Sequence, residues 1–258
     1  RMDLNHIRSA SYINLFGFVE EYITEFMLRS ASEGTFSEKD RLRALLRFAE
    51  EEVKHQSLFI KYTEMFNRDF KINCQFLSGA DEVANVILSN SKLSVLLLTY
   101  HLEIITQQHY LESIREDTSL DENYSNILEK HWQEEAQHAK LDLYELQRLA
   151  KELSEGDFQN SMSEYFNIID AFKGLLGKQV DMDFESFSKC TKRKWTLDER
   201  KTFTRVQHYS YLYNFVLLGL KSTVFRKEME NLFPGITDLL DKKTDSIEKE
   251  FSEEAHAA

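Results

Sequence analysis

The stretch Asn126–Leu149 carries ionisable residues at spacings that suit metal binding. It contains neither Gly nor Pro, and its apolar residues recur at helical spacing, so we predict one helix. Burying ionisable groups along such a helix is costly unless they are paired, neutralised or bound to a metal. The pattern therefore indicates metal ligands, or alternatively a solvated face with a few histidines. The stripe consists of Ile127, Leu128, His131, Glu135, His138, Asp142 and Leu149.

The motif Glu-x-x-His occurs twice, as Glu52 with His55 and as Glu135 with His138. Three residues along a helix place two side chains side by side on one face, so each pair can bind the same metal region. A single copy is weak evidence, because charged helices contain the motif by chance. Two copies on separate predicted helices, each preceded by another Glu, are a much stronger indication.

Two single acids on other predicted helices complete a candidate ligand set. Glu103 is the only acid in Ser91–Thr106, and a carboxylate among so many apolar residues needs a partner. The alternative for Glu103 is an ion pair with a cation of a neighbouring helix. On the first predicted helix, Glu20 borders the apolar stripe whereas Glu21 and Glu25 point away. We therefore expect Glu20 to be the ligand, with Glu21 as the alternative.

One Glu from each of two helices and a Glu-x-x-His from each of two others make up the ligand set of ferritin-like dinuclear carboxylate proteins. Four carboxylates neutralise two divalent ions, and imidazole ligands favour iron or manganese over calcium or magnesium. The expected cofactor is therefore two iron ions, with manganese or a mixed pair as alternatives. The expected fold is a ferritin-like four-helix bundle with additional C-terminal helices.

The element His131-x-x-x-Glu135-x-x-His138 resembles the p-aminobenzoate N-oxygenase family of non-haem diiron enzymes, which has a third histidine ligand at this position. The resemblance covers about Asp3–Ala150. It implies an oxygenase that activates O2 through a peroxo-diiron species, takes electrons from an external donor and oxidises a small organic molecule, an aromatic amine in known cases. The ligands that it implies are Glu20, Glu52, His55, Glu103, His131, Glu135 and His138.

Four further residues are candidates for supporting roles. A ligating histidine usually donates its other N–H to a carboxylate. Glu51 and Glu134, each next to a ligand Glu, could serve the histidine of the opposite helix, and Asp142 follows one turn after the last ligand. His208 lies on an apolar stripe of a later helix. The alternatives are solvated surface acids and, for His208, a hydrogen-bonded core histidine.

Other functions of the same site stay open. A ferritin-like ferroxidase or peroxide-handling protein would use the metal itself as substrate, although the third histidine and the long C-terminal part favour an oxygenase. The small subunit of ribonucleotide reductase has a Tyr one turn after the first ligand histidine, where this chain has Phe59. A non-enzymatic helical interaction domain with a vestigial site is a further alternative.

The hydrophobic pattern predicts an all-α protein of one domain over 1–258, with a core at about 3–150 and a helical extension at about 157–251. A turn at 32–35 precedes Ser37, which we expect to cap the second helix with Asp40. We expect 181–194 to be irregular and 252–258 to be disordered. The predicted helices span about 3–30, 38–70, 81–116, 120–150, 158–177, 197–227 and 236–251.

Composition limits the partners and the location. The net charge of −12 argues against nucleic acid or an anionic membrane as the main partner. Cys74 and Cys190 are too few for a disulfide scaffold and indicate spectator thiols in a reducing cytoplasm. No apolar run is long enough to span a bilayer, and residues 1–5 lack a signal layout, so we expect a cytoplasmic protein. The substrate, the reductase and the oligomeric state, with a homodimer as one option, stay open.

Overall fold

The computed structural model describes residues 2–33 and 38–256, with side chains up to Ser252, and all regular structure in these ranges is helical. The prediction of an all-α protein is confirmed. None of the described helices combines the length and the apolar character needed to cross a membrane. The α-helices are α1 (Met2–Ser32), α2 (Lys39–Asp69), α3 (Ala80–Leu88), α4 (Lys92–His109), α5 (Glu122–Ala150), α6 (Glu155–Thr191), α7 (Leu197–Leu212), α8 (Leu218–Lys221), α9 (Thr223–Leu232) and α10 (Ile236–His256).

Side-chain caps explain where several helices begin. The carboxylate of Asp121 accepts a hydrogen bond from the N–H of Tyr124 at 3.0 Å, which starts α5. Thr196 and Glu199 form a capping box at the start of α7. Each cap satisfies backbone N–H groups that have no partner within the helix. The predicted turn at 34–35 and the predicted cap Ser37 lie outside the described residues.

The prediction of one helix over 81–116 is wrong, because the helix is interrupted between the end of α3 at Leu88 and the start of α4 at Lys92. The amide of Asn90 donates to the carbonyl oxygens of Val86 and Ile87, and Ser91 caps α4 by accepting from the N–H of Ser94. Short polar side chains that bond to nearby backbone compete with a continuous helix. After α4 the chain continues as a π-helical turn, Tyr110–Ile114.

The C-terminal half also differs from the expectation. The prediction that 181–194 is irregular is wrong, because α6 continues to Thr191. Asp183 in this part of α6 is buried and accepts hydrogen bonds from Ser11 at 2.6 Å and from Gln179 at 2.9 Å, which tie it to α1 and to the preceding turn. The predicted helix over 197–227 is divided by a π-helical turn, Tyr213–Leu217, and by Ser222, whose ψ of 122° is extended. Helix α10 reaches His256, so most of the expected disordered tail is helical, and residues 257–258 lie outside the description.

Four helices position the candidate ligands. Helix α1 packs along α2, α4 packs along α5, and α2 also contacts α5. Helix α4 is buried nearly all round, because α6, α8 and α9 cover the surfaces that α5 leaves free. This enclosure holds Glu103 in the protein interior with 3% of its surface exposed.

Candidate metal centre

The seven predicted ligands meet in the protein interior as two groups of ligand atoms. Within each group the four atoms lie within 4.8 Å of one another, and Glu135 belongs to both. Each of the seven residues is at most 4% exposed. The first group is Glu20, His55, His131 and Glu135, and the second is Glu52, Glu103, Glu135 and His138.

Three helices supply the first group. Nε2 of His131 lies 2.9 Å from Oε1 of Glu20 and 2.6 Å from Oε1 of Glu135. Nδ1 of His55 lies 3.0 Å from the same oxygen of Glu135. Glu20 is buried whereas Glu21 is exposed, which places Glu20 rather than Glu21 in the group.

The second group joins α2, α4 and α5. Nδ1 of His138 lies 2.8 Å from Oε1 of Glu52 and 2.8 Å from Oε2 of Glu135. Glu103 shares a hydrogen bond with Glu135. The two oxygens of Glu135 therefore face different groups, which is the arrangement that a carboxylate bridging two ions adopts.

Several of these contacts are short but do not have hydrogen-bond geometry. Oε1 of Glu52, Nδ1 of His55 and Oε1 of Glu135 have no hydrogen-bond partner among the described residues, although each lies 2.8 or 3.0 Å from another ligand atom. Oε2 of Glu52 also has no partner among them, and Nδ1 of His55 lies 3.9 Å from it. In each group, the four candidate ligand atoms nevertheless lie within 4.8 Å of one another. Because buried polar atoms rarely stay unsatisfied, this donor set fits bound cations.

Burial and the neighbouring carboxylates act in opposite directions on the pKa values of the site histidines. Burial lowers the tendency of His131 to protonate, but the carboxylates of Glu135 and Glu20 outweigh this and raise its pKa to about 9. The same opposition raises the pKa of His138 to about 11 and that of His55 to about 12. Burial and the charge of Glu52 raise the pKa of Glu20 to about 7. Without metal, the carboxylates therefore hold protons on the imidazoles.

The outer nitrogens of two histidines contact acids of the opposite helix. Nε2 of His55 lies 2.7 Å from Oε2 of Glu134, and Nε2 of His138 lies 2.9 Å from Oε2 of Glu51. The sequence predicts these same pairings. Glu134 also forms an ion pair with Lys54 at 2.6 Å. Burial raises the pKa of Glu134, but the hydrogen bonds from Lys54 and His55 outweigh burial, so that the pKa is lowered.

The two remaining candidates differ in position. Asp142 is fully buried near the second group, and neither of its carboxyl oxygens has a hydrogen-bond partner among the described residues. Burial raises the pKa of Asp142 well above its usual range. The structure does not bring His208 to either group: its Nε2 lies 3.3 Å from the carbonyl oxygen of Lys173, and its ring packs on Phe251. This supports the alternative of a hydrogen-bonded histidine.

Aromatic and aliphatic side chains enclose the site. Phe48 stacks on His138 with ring centroids 3.7 Å apart, a contact that sequence reasoning missed although Phe48 precedes Glu52 by one turn. Phe59 packs on His131 at 5.2 Å. A cavity of about 10 Å³, about enough for one water molecule, adjoins both groups between α1 and α4. Its apolar wall consists of Phe16, Val19, Ile23 and Leu102.

Comparison of the chain with protein-family models, with curated proteins and with solved structures found no match.

Proposed function

We propose that this protein is a non-haem dinuclear iron oxygenase that uses O2 to oxidise a small organic molecule. In this proposal α1, α2, α4 and α5 form a ferritin-like four-helix bundle that resembles the p-aminobenzoate N-oxygenases. The supporting observation is the convergence of seven buried candidate ligand residues into two groups that share Glu135. Nε2 of His131, the residue that carries the resemblance, belongs to this convergence and lies 2.6 Å from Glu135.

Each group would hold one ion. Glu20, His55 and His131 would bind the first, Glu52, Glu103 and His138 would bind the second, and Glu135 would bridge them. Four carboxylates balance the charge of two divalent ions, which removes the cost of burying them. Mixed imidazole and carboxylate donors suit iron, with manganese or a mixed pair as alternatives.

A bound iron pair would supply a binding site for O2 and would pass to it the electrons of an external donor. The overall reaction takes two electrons and two protons from an external donor, places one oxygen atom in the substrate and releases the other as water. The chain itself orients the ligands: Glu134 and Glu51 accept the outer N–H groups of His55 and His138, which directs both Nδ1 atoms inward. Phe16, Val19 and Leu102 keep bulk water from the cavity beside Glu135.

A second candidate function is a ferroxidase or peroxide-handling protein, in which the metal is the substrate. The observation that favours it is the size of the cavity at the ligands, which has room for a molecule such as O2 but not for an organic substrate.

Anaerobic loading with Fe²⁺ followed by a pulse of O2 tests the proposal. An oxygenase should retain about two iron ions per chain after desalting and should consume O2 repeatedly only with a reductant and an oxidisable organic molecule present. Retention of less than one iron would exclude the dinuclear site. Repeated O2 consumption with Fe²⁺ alone, and no organic product, would establish the ferroxidase instead.

A further inference from the structure

A second, larger cavity of about 320 Å³ lies between α1, α3, α4 and α6. This volume is at the lower end of the range found for small-molecule sites. Its inner wall is formed by buried side chains, among them Val19, Leu98, Leu102 and Phe172. No charged side chain is found among the described residues that line it, and Tyr22, Asn90 and Asn167 are its polar members.

The inner end of this pocket adjoins the candidate metal centre. Val19 and Leu102 line both the pocket and the small cavity beside the ligands. Val19 precedes the candidate ligand Glu20, and Leu102 precedes the candidate ligand Glu103. Two aliphatic side chains therefore form the shared wall between the large pocket and the metal centre.

The outer end of the pocket opens towards solvent between α3 and α6. Val86 on α3 is 64% exposed, and Asn167 and Ala171 on α6 are exposed as well. Asn167 is at this end, and the half-buried Asn90 follows α3 closely. The side-chain nitrogen of Asn90 is bonded to Val86 and Ile87, so Asn90 offers its side-chain oxygen, and neither asparagine offers a charge to pair with an ion.

We propose that this pocket binds the substrate of the oxygenase, and that the substrate is an uncharged molecule with an extended apolar body and a neutral polar end. This inference rests on the proposed function. The apolar body lies along α1 and α4 with its far end at Val19 and Leu102, and the polar end stays near Asn90 and Asn167. A charged amine or carboxylate is disfavoured in the interior, because the lining offers it no counter-charge.

The orientation predicts which bond reacts. The group nearest the metal centre is the apolar end of the substrate, so a C–H bond is broken and a C–O bond is formed there. One atom of O2 enters the product as a hydroxyl group and the other leaves as water, with two electrons and two protons from the external donor. The substrate class therefore differs from the aromatic amines that the sequence resemblance implies.

Titration of the metal-free protein with decan-1-ol by calorimetry tests the binding site. Saturable binding of one molecule per chain is expected. Decane-1,10-diammonium and decanedioate carry a charge at both ends, so one charge must enter the apolar interior. They should bind more weakly by about tenfold or more, because burying that charge without a partner costs more than about 1.4 kcal/mol. Absence of saturable decan-1-ol binding, or equal binding of the three compounds, would overturn the proposal.

Variants at the mouth locate the bound molecule. Ala171→Phe on α6 places a ring in the opening and should weaken decan-1-ol binding by about tenfold or more. Val86→Trp obstructs the opening from α3 and should do the same. Ser163→Phe is the matched control, because Ser163 is exposed on α6 and does not line the pocket. Equal binding by all three variants would contradict this location.

Proton relaxation in Mn²⁺-loaded protein tests the orientation separately from the proposed function. The terminal methyl protons of decan-1-ol should broaden more than the protons next to its hydroxyl group, since the methyl end lies against the metal centre. The opposite order would overturn the proposed orientation. If Mn²⁺ does not bind at all, the proposed metal centre fails, while the calorimetric result still decides whether the pocket binds uncharged apolar molecules.

Discussion

His55 on α2 and Glu134 on α5 form a pair across the helix interface, with Nε2 of the histidine 2.7 Å from Oε2 of the acid. The reverse pair joins His138 on α5 to Glu51 on α2 at 2.9 Å. Each of the two helices thus supplies the acid that orients the histidine of the other. Because such a contact fixes the ring and its tautomer, the two pairs direct both Nδ1 atoms at the carboxylates inside.

Removal of either outer acid should weaken metal binding without unfolding the protein. Glu51→Ala and Glu134→Ala should each lower affinity for Mn²⁺ by about 10- to 100-fold in competition with a chelator. The Gln variants should recover part of the loss, because the amide oxygen still accepts the N–H. Glu50→Ala, an exposed neighbour on α2, is the control. Affinities equal to that of the control would show that Glu51 and Glu134 are ordinary surface acids.

Glu103→Ala should prevent assembly of the metal pair. Glu103 is the one candidate ligand that α4 supplies, and its buried carboxyl group shares a hydrogen bond with Glu135. Iron per chain after anaerobic loading and desalting should fall from about two to about one or less. Glu112→Ala, exposed in the π-helical turn after α4, should behave as wild type. If Glu103→Leu is more stable than wild type and still binds two ions, Glu103 is a structural acid.

His131→Ala should keep the fold and much of the metal, because six candidate ligands remain. The variant should nevertheless change the optical spectra that follow mixing of the reduced protein with O2 and should lose substrate oxidation, since one neutral nitrogen donor is gone. Stopped-flow spectroscopy measures the difference, with Gln137→Ala, exposed on α5, as control. Superimposable traces for His131→Ala and wild type would make the resemblance to the N-oxygenases accidental.

The metal-free protein should lose stability as the pH rises. A histidine in the unfolded chain has a pKa of about 6.5, whereas His131, His138 and His55 have raised pKa values of about 9, 11 and 12. Because these pKa values are raised in the folded protein, protonation of the three histidines stabilises the folded state. This stabilisation is complete below pH 6.5 and is lost as the pH approaches 9 and beyond. Metal binding instead needs deprotonated imidazoles, so affinity increases with pH.

Thermal unfolding of chelator-treated and Mn²⁺-loaded protein between pH 6.5 and 9 measures this effect. The difference between the two melting temperatures should widen with increasing pH. Parallel curves over this range would show that the histidines do not exchange protons for metal.

Asp142→Asn should stabilise the metal-free protein at pH 7, because a neutral amide removes the cost of either burying the charge of Asp142 or keeping its carboxyl protonated; the gain is about 1.4 kcal/mol for each unit by which the pKa is raised. Burial raises the pKa of Asp142, so its destabilising effect is absent below the unfolded pKa and increases as the pH rises above it. The gain should therefore vanish near pH 4. Urea unfolding at both pH values measures it, with exposed Asp181→Asn as control. An equal gain at both pH values would exclude ionisation as the cause.

The sequence by itself determined the all-α class and which side chains share a helix face. Neighbours three or four residues apart on a helix meet in any tertiary context. For this reason the Glu-x-x-His pairs, the position of His131 beside Glu135 and the burial of Glu20 rather than Glu21 follow from spacing. The acids next to ligands, Glu51 and Glu134, could be predicted in the same way.

Only the tertiary structure decided the relations between helices, because distances across an interface depend on packing that no local spacing encodes. It decided that Glu135 belongs to both groups and that His208 bonds to Lys173 instead of the site. It also decided the break at Asn90, where side-chain bonds to the backbone outweigh an apolar pattern that favours one helix. That break separates α3 from α4. Helix α3 lines the outer end of the large pocket with Val86, and α4 lines its inner end with Leu102.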